Sequence, residues 1–175
     1  VDTYPYYNPE TRGANAEAMI AKLNSLPAGS VIVLHACCHN PTGADLTEAQ
    51  WADVVKACAA RGLIPFLDMA YQGFADGIEP DAVAVNLFSA SGLSFFVSSS
   101  FSKSFSLYGE RVGALSVVTQ SKDESARVLS QLKRVIRTNY SNPPIHGGAI
   151  VAAVLSTPAL RQEWETELAG MRDRI

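Results

Sequence analysis

Short apolar runs alternate with amphipathic segments along the chain. Three runs rich in β-branched, leucine or aromatic residues, at 30–35, 63–67 and 93–98, predict strands, and residues 113–119 predict a fourth. Each run is nearly continuous in apolar residues, which is typical of strands buried on both faces of a parallel sheet. The pattern therefore indicates a sheet whose two faces are covered.

Helical periodicity fills most of the intervals between these strands. Helices are predicted over 47–62, 81–91 and 122–138, with a last one from residue 157. Thr47 and Gln50 form a capping box at the start of the first, and Pro158 takes the first helical position of the last. Alternating strands and helices predict an α/β fold with a largely parallel sheet and helices on both faces. In such sheets, ligands bind at the carboxyl ends of the strands.

Composition and charge exclude several classes of protein. The 175 residues are 47% hydrophobic and carry a net charge of −3, with no basic run longer than two residues. This gives no electrostatic footprint for nucleic acid or for an anionic membrane surface. No apolar stretch is long enough to span a bilayer and the N-terminus lacks a signal segment, so we expect no membrane partner and a cytoplasmic location.

The two ends of the sequence do not look like domain boundaries. The chain opens on a turn-rich passage without an initiator methionine, and it stops within a helical pattern. We therefore interpret it as a fragment of a longer polypeptide.

The stretch HACCHNPTG, residues 35–43, first suggests a metal site. On an extended strand His35, Cys37 and His39 would share one face and supply half of a zinc site. A second pair of ligands is missing, because Cys58 falls in a helical pattern and His146 stands alone. We favour buried thiols and hydrogen-bonded histidines, and we predict no metal and no disulfide framework.

Polar residues follow each of the first three predicted strands. Asn40 follows the first, Asp68 closes the second, and the segment 98–103 follows the third. Taken singly, a carboxylate could cap a loop and a lysine could be solvated. Together with Tyr71 and Arg111, however, the rim would offer an amine, an acid, a phenol, an amide and a guanidinium. That combination predicts a binding site for a small molecule.

Four motifs then identify a family. HNPTG, FLDMAYQGF, RTNYSNPP and above all SSSFSKSFSLYGERVG resemble the class I aminotransferases, which act on aspartate or aromatic amino acids with pyridoxal phosphate. The resemblance runs along the whole chain. It implies that HACCHNPTG is a cofactor loop, that 1–155 is part of the large cofactor-binding domain of a fold-type I enzyme, and that 156–175 starts the helix leading to a small C-terminal domain.

The resemblance also implies roles for individual residues at the reacting centre. Lys103 resembles the lysine that forms the internal Schiff base and then moves the substrate proton. Asp68 resembles the partner of the pyridine nitrogen, whose negative charge keeps that nitrogen protonated. Tyr71 and Asn40 resemble the donors to the 3′-oxygen of the ring, and Asn40 is also expected to contact the substrate.

Four further residues are implicated in binding. Ser100, Ser102 and Arg111 resemble the family's phosphate holders, and hydroxyl donors with a guanidinium fork suit a dianionic phosphate. Arg137 resembles the arginine that enters the neighbouring subunit's active site and pairs with the distal carboxylate of a dicarboxylic substrate, which implies a homodimer with shared sites. An exposed charge complementing a helix dipole is the alternative for Arg137.

The function implied is transfer of an amino group between an aromatic or dicarboxylic L-amino acid and 2-oxoglutarate. Three alternatives stay open: a strict aspartate aminotransferase, a lyase or decarboxylase using the same cofactor, and a non-catalytic α/β domain. A nicotinamide enzyme is disfavoured because no G-x-G-x-x-G follows a strand. Other parts that the family needs, including the arginine for the α-carboxylate, cannot be named in this sequence, so we expect the segment alone to be inactive.

Overall fold

The computed structural model describes residues 1–175 and is built around a four-stranded sheet. In chain order the elements are β1 (Tyr7–Asn8), β2 (Gly13–Ala14), α1 (Ala16–Ser25), β3 (Val31–His35), α2 (Glu48–Arg61), β4 (Ile64–Met69), a 3₁₀ turn (Pro80–Ala82), α3 (Val83–Ala90), β5 (Phe95–Ser100), β6 (Gly113–Val118), α4 (Lys122–Asn139), α5 (His146–Ser156) and α6 (Pro158–Arg172).

The strands lie in the order β3-β4-β5-β6, and the first three are parallel. Helices α2 and α3 provide the crossovers that parallel neighbours require. The last strand, β6, is antiparallel to β5, because residues 101–112 return the chain without a helix. The predicted α/β fold with a largely parallel sheet is confirmed.

The main core lies between the sheet and helices α1, α2 and α3. Met19, Val54 and Phe88, one from each of these helices, are fully buried against sheet residues such as Leu67 and Phe95. Helix α2 begins as predicted, with a complete capping box between Thr47 and Gln50, and it ends at Gly62 in the left-handed conformation.

The opposite face of the sheet is only partly covered. Helix α4 borders this face beside Phe96 of β5, whereas Val31 and Val33 of β3 remain 57% and 55% exposed. Helices therefore occur on both faces as predicted, but the second layer does not reach β3. No helix of the structure combines the length and the apolar content needed to cross a membrane.

Candidate active site

The carboxyl ends of the three parallel strands bring their polar residues into line. His35 of β3 pairs in register with Asp68 of β4, and Asp68 pairs in turn with Ser98 of β5. The Ser98 hydroxyl donates a hydrogen bond of 2.7 Å to Asp68 Oδ1. Since β4 extends to Met69, Asp68 is a strand residue and not the first residue of a loop, so its half-buried carboxylate is held on a rigid element.

The loop after β3 is held by hydrogen bonds from side chains to the backbone. Asp45 accepts the N–H groups of Cys38 at 2.6 Å and His39 at 2.8 Å. The backbone N–H of Asn40 donates to His35 Nδ1 at 3.3 Å. Aspartate closing a turn onto nearby N–H groups is a local preference of this side chain. The result is a fixed loop that presents Asn40 at the rim.

Asn40, Tyr71 and Lys103 meet in one cleft of about 670 Å³, which Tyr108 also lines. The Asn40 amide donates to the Tyr71 hydroxyl at 3.5 Å, and Lys103 Nζ lies 4.8 Å from the centre of the Tyr71 ring. That separation is within the range of a cation–π interaction. The volume is typical of a small-molecule site.

Lys103 lies on the loop 101–112, whose two ends are joined. The Phe101 N–H donates to the Val112 carbonyl at 3.2 Å, where β5 and β6 begin to pair. Gly113 completes this junction, because a Cβ there would stand only 2.8 Å from the Ser99 carbonyl oxygen. The closed loop thus carries several predicted site residues on one short segment.

Three of those residues are the predicted phosphate holders. The Ser102 N–H donates to Ser100 Oγ at 3.2 Å, and Ser102 is buried. Arg111 is exposed, and its guanidinium donates to the Tyr108 carbonyl at 3.0 Å. All three lie on the loop of Lys103 or at its base.

Of the predicted site residues, Asn40, Tyr71 and Lys103 line the cleft; Asp68, Ser100, Ser102 and Arg111 do not, and neither does Arg137. It occupies the last turn of α4, is exposed, and donates to the Ser141 hydroxyl. Within the described chain it does not line the cleft that holds Lys103.

Comparison with known proteins decides the family. The aminotransferase class I and II family model matches residues 1–175. The chain belongs to the class I and II aminotransferases. It is 65% identical to an aspartate aminotransferase of Pseudomonas aeruginosa and 53% identical to an aromatic-amino-acid aminotransferase of Escherichia coli, over 100% of this chain and 44% of each relative.

A solved structure agrees with this aminotransferase chain over almost its whole length. An aromatic-amino-acid aminotransferase from Burkholderia pseudomallei, covalently bound to pyridoxal phosphate, superposes with a TM-score of 0.98 at 68% identity, covering 99% of this chain and 44% of that one. The chain therefore spans less than half the length of the aminotransferases it matches.

One residue that organises the site was missed by the sequence interpretation. Asp81 is 4% exposed, and its two carboxylate oxygens accept four backbone N–H groups at 2.8–3.3 Å, from the residues Gly73, Ala75, Asp76 and Gly77. These donors form the turn directly after Tyr71. The sequence did contain a hint, because an aspartate near a Gly-containing turn often binds the backbone N–H groups of that turn. It does not specify which N–H groups are bound.

Helix α6 makes a second unforeseen contact. Trp164 Nε1 donates to the Ser104 carbonyl at 2.6 Å, and the indole stacks on Phe105 with ring centres 4.6 Å apart. The helix predicted from residue 157 includes Trp164, but the sequence did not indicate what Trp164 contacts. Its partners, about 60 residues earlier, adjoin Lys103 in the sequence, so α6 restrains the loop that carries the amine.

Trp164→Phe is expected to destabilise the protein while preserving the aromatic stack. The phenyl ring can still pack on Phe105, but the Ser104 carbonyl loses its donor, and a hydrogen-bond group left unpaired costs about 1–3 kcal/mol of unfolding free energy. Urea unfolding measures this loss. Glu165→Gln removes the exposed ion pair with Arg161 on the same helix, and little or no change is expected from it. Equal effects of the two changes would contradict the assignment.

The His39 ring stacks on the Tyr6 ring, with the ring centres 3.8 Å apart. His39 Nδ1 also shares a hydrogen bond of 2.8 Å with the Thr42 hydroxyl. Burial lowers the pKa of His39, the neighbouring His35 lowers it further, and Asp45 offsets only part of this. The folded protein therefore prefers neutral His39.

Stability is expected to rise with pH across the interval between the lowered pKa of folded His39 and about 6.5, its unfolded value. Below about pH 6.5 the unfolded chain takes up a proton that the folded site resists, so unfolding is favoured on acidification. Urea midpoints measured from pH 5 to 8 check this, with pH 8 as the plateau. His39→Gln should flatten the slope across this interval, whereas His146→Gln, at the exposed start of α5, should retain it.

Proposed function

We propose that this chain is the cofactor-binding part of a pyridoxal-phosphate-dependent transaminase, which moves an amino group between an L-amino acid and 2-oxoglutarate. One observation carries the proposal: the Lys103 amine faces Tyr71 and Asn40 in a single cleft. Asp68 extends from the strand that leads to Tyr71. An amine, a phenol, an amide and a carboxylate so placed have little use without a ligand.

The donor set fits pyridoxal phosphate group by group. The cofactor has an aldehyde, a phenolic oxygen, a pyridine nitrogen and a phosphate. The chain offers an amine without an ion-pair partner at Lys103, two neutral donors at Tyr71 and Asn40, and a carboxylate at Asp68. When bound, the cofactor supplies an electron-accepting ring that stabilises the charge left on a substrate carbon after its proton departs.

Lys103 is the residue proposed to hold the aldehyde covalently and to carry the substrate proton. Its loop is closed by the β5–β6 pairing and restrained by Trp164. A nucleophilic amine must be positioned within reach of its target, and a restrained loop reduces the conformational freedom lost on binding. Half-burial beside the Tyr71 ring favours this placement.

Asp68 is proposed to hold a proton on the ring nitrogen, and Tyr71 with Asn40 to donate to the ring's phenolic oxygen. The Ser98 hydroxyl orients the Asp68 carboxylate through one oxygen and leaves the other oxygen for a ligand. The hydrogen bond from Asn40 to Tyr71 brings those two donors to a common point. A negative charge at one end of a ring and donors at the other would polarise it along one axis.

Ser100, Ser102 and Arg111 are proposed to hold the phosphate. They occupy the base of the Lys103 loop and its far end, so one loop would secure both the covalent link and the anion. Arginine would have to exchange its bond with the Tyr108 carbonyl for a phosphate oxygen, a charge-assisted bond of greater strength.

Reductive trapping tests this function directly. Borohydride reduction of the full-length holoprotein, followed by peptide mass mapping, should place the pyridoxyl group on the peptide containing Lys103. Label on another lysine, or on none, would reject the proposal.

The preferred substrate is proposed to be aromatic, with dicarboxylates also accepted. The Burkholderia pseudomallei structure, 68% identical, is of an aromatic-amino-acid enzyme, whereas the 65% identical Pseudomonas aeruginosa relative is an aspartate aminotransferase. A strict aspartate enzyme is therefore the second candidate. Absorbance changes of the full-length holoprotein with tyrosine and with aspartate, each without an acceptor, separate the two, and a response to aspartate alone would select the second.

We also propose a cytoplasmic homodimer with shared active sites, whose large domain includes 1–155 and whose residues 156–175 lead toward a small domain. Arg137 is exposed at the end of α4 and free of the cleft in its own chain, as a contributor to a neighbour's site must be. The three free thiols suit a reducing compartment. Mixing full-length Lys103→Ala and Arg137→Ala subunits should then restore activity toward dicarboxylic substrates that neither variant has alone, whereas separate sites would restore none.

A further inference from the structure

Two adjacent cysteines after β3 point their sulfur atoms to the same place. Side chains of consecutive strand residues point to opposite sides, so a Cys-Cys pair in a strand cannot chelate. Here β3 ends at His35, and Cys38 adopts the left-handed conformation with φ of +51°. That conformation is unfavourable for a residue with a Cβ. It places both Sγ atoms and a carboxylate oxygen of Asp81 within 4.8 Å of one another.

The surroundings of this dithiol are negatively charged. The negative charges of Asp81 and Asp45 interact electrostatically with both thiols, and that of Asp76 interacts with the Cys38 thiol. A cation entering here would be attracted by the carboxylates and would displace the thiol protons.

Asp81 adds a fixed negative charge beside the two sulfur atoms. Four backbone N–H groups already occupy both of its oxygens, so the carboxylate attracts a cation through its charge and is not counted among the ligands. The group is 4% exposed, so its position relative to the sulfur atoms is set by the fold.

The dithiol can be reached from the cleft of Lys103. Cys38 is half-buried and lines that cleft, and its Sγ lies 3.5 Å from the Tyr71 carbonyl oxygen. Cys37, behind it, is 6% exposed. A small ion entering the cleft would therefore meet Cys38 first.

We propose that Cys37 and Cys38, beside the Asp81 carboxylate, form a binding site for a thiophilic divalent cation of the Zn²⁺ and Cd²⁺ class. Thiolates are preferred ligands of these d¹⁰ ions, and water from the cleft that Cys38 lines can complete the coordination. One cation enters, two sulfur–metal bonds form, two S–H protons leave, and no electron is transferred. Because Cys38 contacts the carbonyl of Tyr71, occupancy would be sensed at the cleft itself.

Titration of the reduced, full-length protein with Cd²⁺ tests the site. We expect one equivalent to bind, with a thiolate-to-metal charge-transfer absorption in the ultraviolet and release of protons. Cys38→Ser should weaken the affinity by more than about tenfold, since even changes behind the ligands cost that much. Cys37→Ser should weaken the affinity for Cd²⁺ to a similar extent, and it provides a second test if Cys38→Ser folds poorly.

Cys58→Ser is the matched control. Cys58 is a buried thiol on α2 outside the cluster, so its removal should leave the absorption and the affinity unchanged. Absence of the absorption in the unmodified protein, or its persistence in Cys38→Ser, would overturn the proposal. The outcome is independent of cofactor chemistry, because a Lys103→Ala protein should bind Cd²⁺ as the unmodified protein does.

Discussion

In the full-length protein, Lys103→Ala is expected to abolish reductive trapping of pyridoxal phosphate and to lower the transamination rate by about 10⁶-fold, the scale of loss when a residue that both attacks and transfers protons is removed. The amine makes no ion pair, and its one described interaction is with the Tyr71 ring. Its removal therefore takes away chemistry and leaves the fold intact. Steady-state kinetics and the holoenzyme absorbance measure the two effects.

Lys56→Ala is the matched control for this change. Lys56 lies on the exposed surface of α2 in an ion pair with Asp53, so it tests the loss of a lysine without the loss of the site. Activity and trapping should match those of the unmodified protein. A Lys103→Ala enzyme that kept more than a small fraction of its rate would show that another group carries the reaction.

The placement of the candidate site follows largely from the sequence. Asn40 and Lys103 follow β3 and β5, Asp68 lies near the end of β4 between them, and the carboxyl ends of parallel strands share one edge of a sheet. Once the strands were predicted, convergence of these residues followed from that rule. The strand boundaries did not need to be accurate: β4 runs two residues beyond its predicted end, yet Asp68 stays at the same edge.

What the sequence could not predict is how distant segments support that edge. Trp164 binds the Ser104 carbonyl across 60 residues, and the direction of α6 that makes this contact depends on packing, not on helical periodicity. Likewise, the apolar pattern of β6 does not reveal the direction of the strand. It is antiparallel to β5 because no helix lies between the two strands to carry the chain back across the sheet. Helices α1 and α5 and the short β1–β2 pair were not predicted.

The zinc half-site first suggested by HACCHNPTG does not form, for a local reason. It assumed an extended backbone, in which His35, Cys37 and His39 share a face. The strand ends at His35, and the left-handed Cys38 turns the chain. The two histidine rings do lie 4.8 Å apart, but Cys37 is grouped with Cys38 and Asp81. Propensity for φ > 0 is low for cysteine, so this turn had no signal in the sequence.

Asp81→Asn is expected to destabilise the protein by about 3–6 kcal/mol. An amide can accept hydrogen bonds through one oxygen only, so two of the four N–H groups that Asp81 satisfies would face an NH₂ group instead. Each hydrogen bond to a charged acceptor contributes about 1.5–3 kcal/mol. Urea unfolding gives the loss, and proteolysis should become faster within the turn 73–77.

Asp68→Asn should have the opposite profile. The oxygen of the introduced amide could still accept the Ser98 hydroxyl, so the unfolding free energy should change little, while loss of the negative charge opposite the ring nitrogen should lower the transamination rate by about 10²–10³-fold. The two aspartates would thus separate into a structural and a chemical one, because the Asp81 carboxylate is saturated by backbone donors and the Asp68 carboxylate keeps an oxygen free. This division of roles would be wrong if Asp81→Asn lowered the rate without lowering the unfolding free energy. It would also be wrong if Asp68→Asn lowered the unfolding free energy and left the specific activity unchanged.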